Sequence, residues 1–359
     1  MNEPTLDSQT SSPHTDALSL LPDTIEELFA LGHRQLDAQN FVEAQRAFAK
    51  AVTLAPSNVV ARHNLGYALQ HQGAVEDAMA AYEAVLHSAT PLAQSALNLG
   101  ILLAQQGRER DAQDAFERAL TLDPGCAKAY VNLGVLHARA GRLAEARQCY
   151  DKALEGDPSC HNARLKSANL LAREGRWEEA LEAYNRLAEE GWNSAEVQYR
   201  RGAVLAARGD EENAIQACQG ALDADPNHLL ARKQLALLYA GRGRYDEAAA
   251  LLQRAAELAP DDAQVHYNLG NMHARQAVED GELINYGYAD AAITAYRRAI
   301  ELAPDLYKAY YNLACVAEKM SVQEGITAWE QYIAAASGVP AEQEWVAKAR
   351  GYLRSLRGN

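Results

Sequence analysis

The sequence has few of the features that mark membrane, secreted or nucleic-acid-binding proteins. No apolar run in its 359 residues approaches the ~20 residues that span a bilayer. Its five cysteines are too few for a disulfide framework, and its first basic residue is Arg34, so the positive start of a signal peptide is lacking. The net charge of −14 repels phosphate backbones. We therefore expect a cytoplasmic protein that neither inserts into membranes nor binds nucleic acid.

Glycine, alanine and proline recur along the chain in one register. Glycines lie every 34 residues from Gly73 to Gly243, and alanines lie every 34 residues from Ala44 to Ala248. Prolines keep nearly the same spacing, with one period skipped, at Pro56, Pro91, Pro124, Pro158, Pro226, Pro260 and Pro304. A sequence period of about 20–50 residues indicates a solenoid or a similar repeat array.

Each repeat is predicted to contain two helices, here called helix A and helix B. Small and apolar residues at positions 4, 7, 8 and 11 form one helical stripe, and those at positions 20, 24 and 27 form a second. Glycine at position 15 ends helix A, because glycine adopts left-handed backbone at little cost, and proline at position 32 ends helix B. The repeats begin at Ile25, Val59, Ala93, Ala127, His161, Ala195, Leu229, Ala263 and Tyr307.

The pattern resembles the tetratricopeptide repeat (TPR), with leucine usual at position 7, a small residue at 8, alanine at 20, a large residue at 24 and proline at 32. This resemblance covers residues 25 to 336. It implies an all-α fold, a right-handed superhelical solenoid of about nine helix-turn-helix repeats with a C-terminal capping helix. The A-x-x-N-L-G form is similar to the repeats of O-linked N-acetylglucosamine transferases, but this sequence shows no catalytic domain beside them.

The two ends of the sequence are expected to differ from the repeats. Residues 1–24 are rich in serine, threonine, aspartate and proline, so we expect a disordered N-terminal tail. Thr24 followed by Glu27 fits a capping box at the start of the first helix. Residues 341–359 are predicted to form a capping helix and tail that cover the last apolar face.

The solenoid itself is expected to span residues 25–340, with one irregular repeat. Repeat eight, 263–306, carries a ten-residue insertion, and Gly287 is expected to take the turn position in it. The segment from Ala277 to Tyr286 is predicted to be a mobile loop with no strand. Such insertions often decorate a binding surface of a repeat protein, although a neutral insertion is equally compatible with the sequence.

The resemblance places the A helices along the concave groove, with positions 2, 5, 6, 9, 12 and 13 facing it. Position 6 is an amide in six of nine repeats, and amides both donate and accept hydrogen bonds. These amides either hold a peptide backbone or serve a local role within the repeat. The six positions hold nine basic and four acidic residues, against the charge of the whole chain. Aromatic rings at position 5 are typical interface anchors. The candidate peptide-binding residues are Asn64, Asn98, Asn132, Lys166, Arg173, Arg200, Lys233, Asn268, Asn312, Tyr199, Tyr267 and Tyr311.

Motifs for other chemistry are lacking in the sequence. It contains no phosphate-binding loop, zinc-protease motif or calcium-binding loop, so we predict no enzyme activity, catalytic residue, metal site or cofactor. His33, His63 and His71 lie on the first two A helices, and we interpret them as separate groove residues instead of metal ligands. The clamp with which some members of the family hold C-terminal carboxylates is incomplete, since Glu196 and Leu237 occupy two of its positions.

These patterns predict a non-enzymatic protein–protein interaction scaffold. It would bind an extended, acidic peptide or partner segment in the concave groove. Two alternatives stay open: a self-assembling scaffold that uses the convex face, and a regulatory subunit of a separate enzyme. The sequence leaves the oligomeric state and the identity of the partner undetermined.

Overall fold

The structure is a computed structural model that describes residues 21–279 and 281–358. These described residues form nineteen α-helices, one short 3-10 helix and one two-stranded sheet. Contacts divide the chain into two compact units, Met1–Leu170 and Leu171–Asn359. Residues 1–20 of the predicted tail, which spans residues 1–24, lie outside the described residues. None of the helices in the described ranges is long and apolar enough to cross a membrane.

The first unit is a stack of helical hairpins in which each helix packs on the next along the chain. The boundary between the units falls within the last of its helices. The helices are α1 (Ile25–Asp37), α2 (Phe41–Leu54), α3 (Val59–His71), α4 (Val75–Leu86), α5 (Ala93–Gln105), α6 (Glu109–Leu122), α7 (Ala127–Arg139), α8 (Leu143–Gly156) and α9 (His161–Arg173).

The second unit repeats the same hairpin arrangement and ends in an extra helix. Its elements are α10 (Trp177–Glu189), α11 (Ala195–Arg208), α12 (Glu211–Ala224), α13 (Leu229–Gly241), α14 (Tyr245–Leu258), α15 (Ala263–Ala277), β1 (Val278–Glu279), β2 (Glu282–Leu283), α16 (Tyr286–Leu302), α17 (Tyr307–Met320), α18 (Val322–Ala336), a 3-10 turn (Pro340–Glu342) and α19 (Gln343–Leu356). Odd-numbered helices up to α17 are the A helices and even-numbered ones the B helices, so the predicted all-α repeat architecture is confirmed within each unit.

The turns between A and B helices use left-handed backbone, as predicted. Glycine takes this conformation in six of the hairpins, with φ between 71° and 87° at Gly73, Gly107, Gly141, Gly175, Gly209 and Gly243. The first repeat has Gln39 at the same position, with φ 56°. This conformation strains a residue that carries a Cβ atom, so the first turn is the least favourable of this group.

Within a hairpin, the small residue at position 8 makes room for the large residue at position 24. A Cβ atom built on Gly100 would lie 2.5 Å from the ring of Phe116, and one built on Gly66 would lie 2.8 Å from the ring of Tyr82. In the seventh repeat position 8 is Ala236 and position 24 is the ring-free Leu252, whereas the fifth repeat combines Ala168 with Tyr184, and all four side chains are fully buried. At Gly66 and Gly100 the lack of a Cβ atom therefore makes the room that the ring of position 24 fills.

The insertion in repeat eight forms a β-hairpin, which corrects two predictions. Val278 pairs with Leu283 and Glu279 pairs with Glu282 in antiparallel register, so the expectation of no strand is wrong here. Gly281, and not Gly287, takes the left-handed turn, with φ 84°, and Gly287 lies in the first turn of α16. The sequence signal for this hairpin is the Asp-Gly pair at residues 280–281.

Hydrogen bonds and apolar contacts hold the hairpin of the insertion against the second unit. Both Ile284 and Asn285 donate backbone hydrogen bonds to the carbonyl oxygen of Ala277, at 2.9 and 3.2 Å. Val278 and Leu283 pack against the apolar core of the second unit. The predicted loop with little to bury is therefore a packed element, because Val278 and Leu283 lie against the core, although Ile284 and Tyr286 stay exposed.

The capping elements at the two ends agree with the sequence pattern in part. Thr24 accepts a hydrogen bond from the backbone of Glu27 at 3.3 Å and donates one to its carboxylate at 2.8 Å, so α1 is capped as predicted. In α19, Val346 is buried, but Trp345 and Tyr352 are each 44% exposed. The predicted apolar stripe of α19 is thus only partly covered, and its two large rings remain accessible.

Candidate functional site

The amide of Asn98 fills a local structural role. Its Nδ2 donates to the Tyr82 hydroxyl at 3.2 Å, and that hydroxyl donates to Oε1 of Gln70 at 2.9 Å. Gln94 in turn donates to Oδ1 of Asn98 at 3.2 Å. The resulting chain of polar groups links α3, α4 and α5, and it occupies both ends of the Asn98 amide, which is only 6% exposed. Burial also raises the pKa of Tyr82, so its hydroxyl stays protonated.

The hydrogen bonding of the position-6 amides in the two neighbouring repeats depends on whether the preceding repeat supplies a hydroxyl group. Asn64 follows Phe48, which has no hydroxyl, and the buried Nδ2 of Asn64 finds no hydrogen-bond partner within the described residues. Asn132 follows Phe116 and donates instead to the carbonyl oxygen of Lys128 at 2.8 Å. The structure therefore gives these amides different local roles, and it does not bring Asn64, Asn98 and Asn132 together in one cleft.

Asn312 and Asn268 occupy position 6 in the last two repeats. Nδ2 of Asn312 donates to Oδ1 of Asn271 at 2.9 Å and to the Tyr267 hydroxyl at 3.2 Å. Asn268 accepts from Nε2 of Gln264 at 2.9 Å. Of the predicted amides, Asn312 is the one that lines clefts of the second unit, and its Oδ1 remains as an acceptor.

Two of the predicted groove cations are already neutralised. Arg200 donates to Glu196 at 2.7 Å, one helical turn earlier, and its guanidinium lies over the ring of Tyr199. Lys233 donates to Asp262 at 2.7 Å, and this carboxylate also caps α15. Although burial opposes both shifts, Arg200 lowers the pKa of Glu196, and Lys233 lowers the pKa of Asp262. Arg200 and Lys233 are consequently less available to a ligand than the sequence pattern suggested.

The other two predicted cations lie on α9 with no salt bridge among the described residues. Lys166 is half-buried and Arg173 is exposed. Tyr199, the neighbour of Arg200, is half-buried and packs near His228, with ring centroids 5.3 Å apart. These side chains belong to separate local environments, so they do not form one preassembled site.

A large cleft on the A-helix side of the second unit lies between α15 and α17. It has a volume of about 890 Å³, and the hairpin borders it with Val278 and Gly281. Arg275 and Lys319 line it, both exposed and both without a salt bridge in the described part of the chain. Its cysteine, Cys315, is a protonated thiol at pH 7, because burial raises its pKa to about 12.

A smaller cleft of about 260 Å³ lies between the last A helix and α19. The rings of Tyr267, Tyr311 and Trp345 line it, together with Asn312. Tyr311 meets Trp345 edge-on, with ring centroids 5.3 Å apart, and burial raises the pKa of Tyr311. The cleft therefore presents neutral aromatic surfaces, and it brings together three predicted residues: Tyr267, Tyr311 and Asn312.

A third cleft, of about 720 Å³, lies mainly along the B helices α10 and α12. Arg201, which replaces the usual leucine of position 7, reaches Oδ1 of Asn185 at 3.5 Å there. Arg186 and Arg208 pair with Glu182 and Asp210, at 2.6 and 2.8 Å. The polar groups of this cleft mostly bind one another, so it is a weaker candidate for a site.

The histidines of the first two repeats take part in separate contacts. His63 shares a hydrogen bond with Ser95 at 2.8 Å, His71 stacks on Phe41, and His33 lies against Phe48. Burial lowers the pKa of His63, so this side chain is neutral at pH 7. Within residues 21–279 and 281–358, no group of three or more histidine, cysteine or carboxylate side chains is placed to hold a metal ion.

Several residues of the two A-helix clefts were missed as candidate sites by the sequence reasoning. Arg275, Lys308 and Lys319 belong to the nine basic residues of the groove positions but are not among the predicted peptide-binding residues. Glu342 and Trp345 were assigned to the cap alone. The insertion beside Arg275 was the sequence signal for a site in repeats eight and nine, because insertions in repeat proteins often lie on the binding face.

Comparison with known proteins supports the repeat assignment. Tetratricopeptide repeat family patterns match residues 29–93, 97–161, 137–195, 165–228, 205–270 and 283–306. No curated protein matches the whole sequence significantly.

Solved structures show the same fold at low sequence identity. A tetratricopeptide repeat protein from Parabacteroides merdae has 20% identity and a TM-score of 0.55, over 69% of this chain and 98% of its own. The Cut9–Hcn1 hetero-tetramer of the APC/C has 18% identity and a TM-score of 0.58, over 84% of this chain and 58% of the matched one. Pseudomonas aeruginosa pilF has 23% identity and a TM-score of 0.52, over 58% of this chain and 95% of the matched one. With family matches along most of its length, the chain belongs to the tetratricopeptide repeat family.

Proposed function

We propose that the protein is a non-catalytic scaffold whose second unit binds an extended, acidic segment of a partner protein in the cleft between α15 and α17. The tetratricopeptide repeat family implies a protein–protein interaction scaffold. The observation that carries the finer proposal is the pair of exposed cations, Arg275 and Lys319, on the walls of this cleft.

The charges of the cleft favour an anionic ligand. Arg200 and Lys233 have carboxylate partners within the fold, whereas Arg275 and Lys319 have none among the described residues. Glu318, the carboxylate that lines the cleft among the described residues, already accepts a hydrogen bond from the Trp329 indole at 2.8 Å. Carboxylates of a partner can therefore pair with both cations without displacing a salt bridge of the protein.

The polar groups of the cleft suit an extended backbone. Asn271 and Asn312 line it and carry amide groups, and an amide oxygen can accept from a peptide N–H. The hairpin closes one border of the cleft with Val278 and Gly281. A chain lying along the cleft would thus contact side-chain amides, two cations and a backbone turn.

Binding of a fluorescein-labelled ten-residue peptide of alternating glutamate and glycine, measured by fluorescence anisotropy at two salt concentrations, tests the proposal. We expect the double variant Arg275→Glu/Lys319→Glu to bind this peptide at least about tenfold more weakly, because two attractions become repulsions of about 1 kcal/mol each. Binding by the unmodified protein should weaken as salt rises.

The matched control is Arg110→Glu/Arg118→Glu, which makes the same change of charge at exposed positions of helix α6. This control should bind the peptide within about twofold of the unmodified protein, apart from the long-range effect that salt removes. Equal loss of affinity in both double variants, or no loss in either, would refute the assignment of the cleft. A lysine–glycine peptide of the same length should not bind.

A further inference from the structure

The small cleft beside α19 combines ring faces with a carboxylate. Tyr332 is fully buried and donates a hydrogen bond to Oε2 of Glu342 at 2.8 Å. Both residues line the cleft together with Tyr267, Tyr311 and Trp345. The cleft therefore has aromatic surfaces on several sides and one anionic group.

The carboxylate of Glu342 lacks a cationic partner. It is half-buried, and the described residues give it the neutral Tyr332 hydroxyl but no salt bridge. Taking a carboxylate partly out of water without a counter-charge is costly, so a cation that enters the cleft gains both charge pairing and hydrogen bonds.

The aromatic lining also favours a cation. Trp and Tyr faces attract guanidinium and ammonium groups, and Trp is the strongest of the rings. The fold already uses this interaction at the edge of the cleft, where the Lys348 ammonium lies 4.2 Å from the centroid of the Trp345 ring. A planar guanidinium suits the space between rings better than an ammonium, since it stacks and can bind a carboxylate through two N–H groups.

Among the described residues Lys308 is the one cation that lines the cleft, and it limits what can bind there. Its side chain is exposed, so it can turn toward solvent or pair with an acidic residue next to the bound cation. This arrangement selects a basic side chain within an otherwise acidic segment and disfavours a run of basic residues.

From these contacts we infer that the cleft lined by Tyr267, Tyr311, Tyr332, Trp345 and Glu342 binds an arginine side chain of the partner protein. The inference deepens the proposed function and rests on it in one respect: Asn312 lines both clefts, so one partner segment would occupy them together. The arginine anchors the segment at α19, and acidic residues follow in the larger cleft.

The probe for this inference is N-acetyl-arginine methylamide, titrated into the full chain by calorimetry and by tryptophan fluorescence. The 44% exposed Trp345 is a reporter inside the cleft. The citrulline analogue, which keeps the shape and loses the charge, should bind at least about tenfold more weakly, because charge-assisted hydrogen bonds are about twice as strong as neutral ones. The fluorescence change should disappear in Trp345→Phe.

Glu342→Gln removes the charge and retains an oxygen for the Tyr332 hydroxyl. We expect this variant to bind the arginine probe at least about tenfold more weakly. Glu344→Gln is the matched control, because Glu344 lies two residues further along in the first turn of α19, is not among the residues that line the cleft, and pairs with Lys348 at 2.8 Å. Circular dichroism and the thermal midpoint of each variant check that the fold is retained.

Binding of the citrulline probe as tightly as the arginine probe would overturn the inference, as would unchanged arginine binding in Glu342→Gln. So would a lack of saturable arginine binding to the unmodified protein. Failure of the proposed function is distinguishable, since the glutamate–glycine peptide would then not bind while the arginine probe still does. If the inference alone fails, Glu342→Gln and the unmodified protein bind that peptide through Arg275 and Lys319 as before.

Discussion

Replacing Gly100 by alanine should destabilise the first unit, although alanine is the better helix former. Gly100 lies in α5, and a Cβ atom on it would approach two carbon atoms of the Phe116 ring to 2.5 and 2.7 Å. Ordinary contacts of this kind lie at 3.4–4 Å. The Phe116 ring is only 1% exposed, so it can yield only by moving neighbouring core atoms.

Two opposing terms set the size of the effect. Alanine gains about 1 kcal/mol over glycine inside a helix, whereas overpacking of a dense core costs about 1–3 kcal/mol. Because the ring must move by roughly 1 Å within a packed core, we place the cost at the upper end of that range. The net expectation is a loss of about 2 kcal/mol, which lowers the thermal midpoint of a unit of this size by about 4–8 °C.

The chain itself supplies the compensating change. The seventh repeat combines Ala236 with Leu252, and both side chains are fully buried. In a Phe116→Leu background, Gly100→Ala should therefore be neutral or stabilising by up to about 1 kcal/mol. Thermal and urea unfolding, followed by circular dichroism for the four proteins of the cycle, measure the coupling between the two sites.

A control separates packing from helix propensity. Gly351 lies in α19, and a Cβ atom on it would meet nothing within 4 Å. Gly351→Ala should therefore stabilise the protein by up to about 1 kcal/mol. If Gly100→Ala has the same effect in the unmodified protein and in the Phe116→Leu background, the packing explanation for the small residue of position 8 is wrong.

Three further changes test other parts of the structure. Tyr82→Phe should cost about 1–3 kcal/mol in urea unfolding, because Nδ2 of Asn98 is left buried without its hydroxyl partner. Tyr67→Phe removes the hydroxyl of a tyrosine that is 37% exposed and should cost almost nothing. Equal costs would contradict the role of the polar chain. Because burial lowers the pKa of His63, this side chain takes up a proton in the unfolded chain before it does so in the folded one as pH falls below 6.5. The free energy of unfolding should therefore be full above that pH and decline below it, less steeply in His63→Gln. Parallel pH profiles of the two proteins would exclude His63 as a source of the decline. Deletion of residues 278–283 should leave the chain folded but about 2 kcal/mol less stable, since it removes two half-buried apolar side chains. An unchanged melting curve would show that the hairpin is not packed.

The repeat architecture was predictable because each repeat encodes it locally. Turn glycines, the pairing of positions 8 and 24 and the proline after helix B each act within one hairpin, and spacing along the chain reports all three. The hairpin of the insertion was also encoded locally, by Asp-Gly at residues 280–281. The helical period around it instead led to the prediction that Gly287 takes the turn position.

The candidate site was predictable only as a set of positions. The amide of position 6 is visible in the sequence, but the partner of Asn98 is Tyr82 on helix B of the preceding repeat, where the repeat before Asn64 has Phe48. The availability of a cation likewise depends on a residue about thirty positions away, as Lys233 and Asp262 show. A periodic pattern identifies which residues share a face, but not which of them already bind one another.

The sequence by itself determined the helices, their turns, their pairing into hairpins and their family, because each of these follows from contacts within about 34 residues. Only the tertiary structure decided which polar groups of the A helices are free, since that depends on side chains brought together from different repeats. It also placed Trp345 and Glu342 of the cap beside Tyr267 and Tyr311. Charge pairing and burial are properties of the assembled repeats: Arg200 and Lys233 pair with carboxylates, whereas Arg275 and Lys319 have no salt bridge in the described part of the chain.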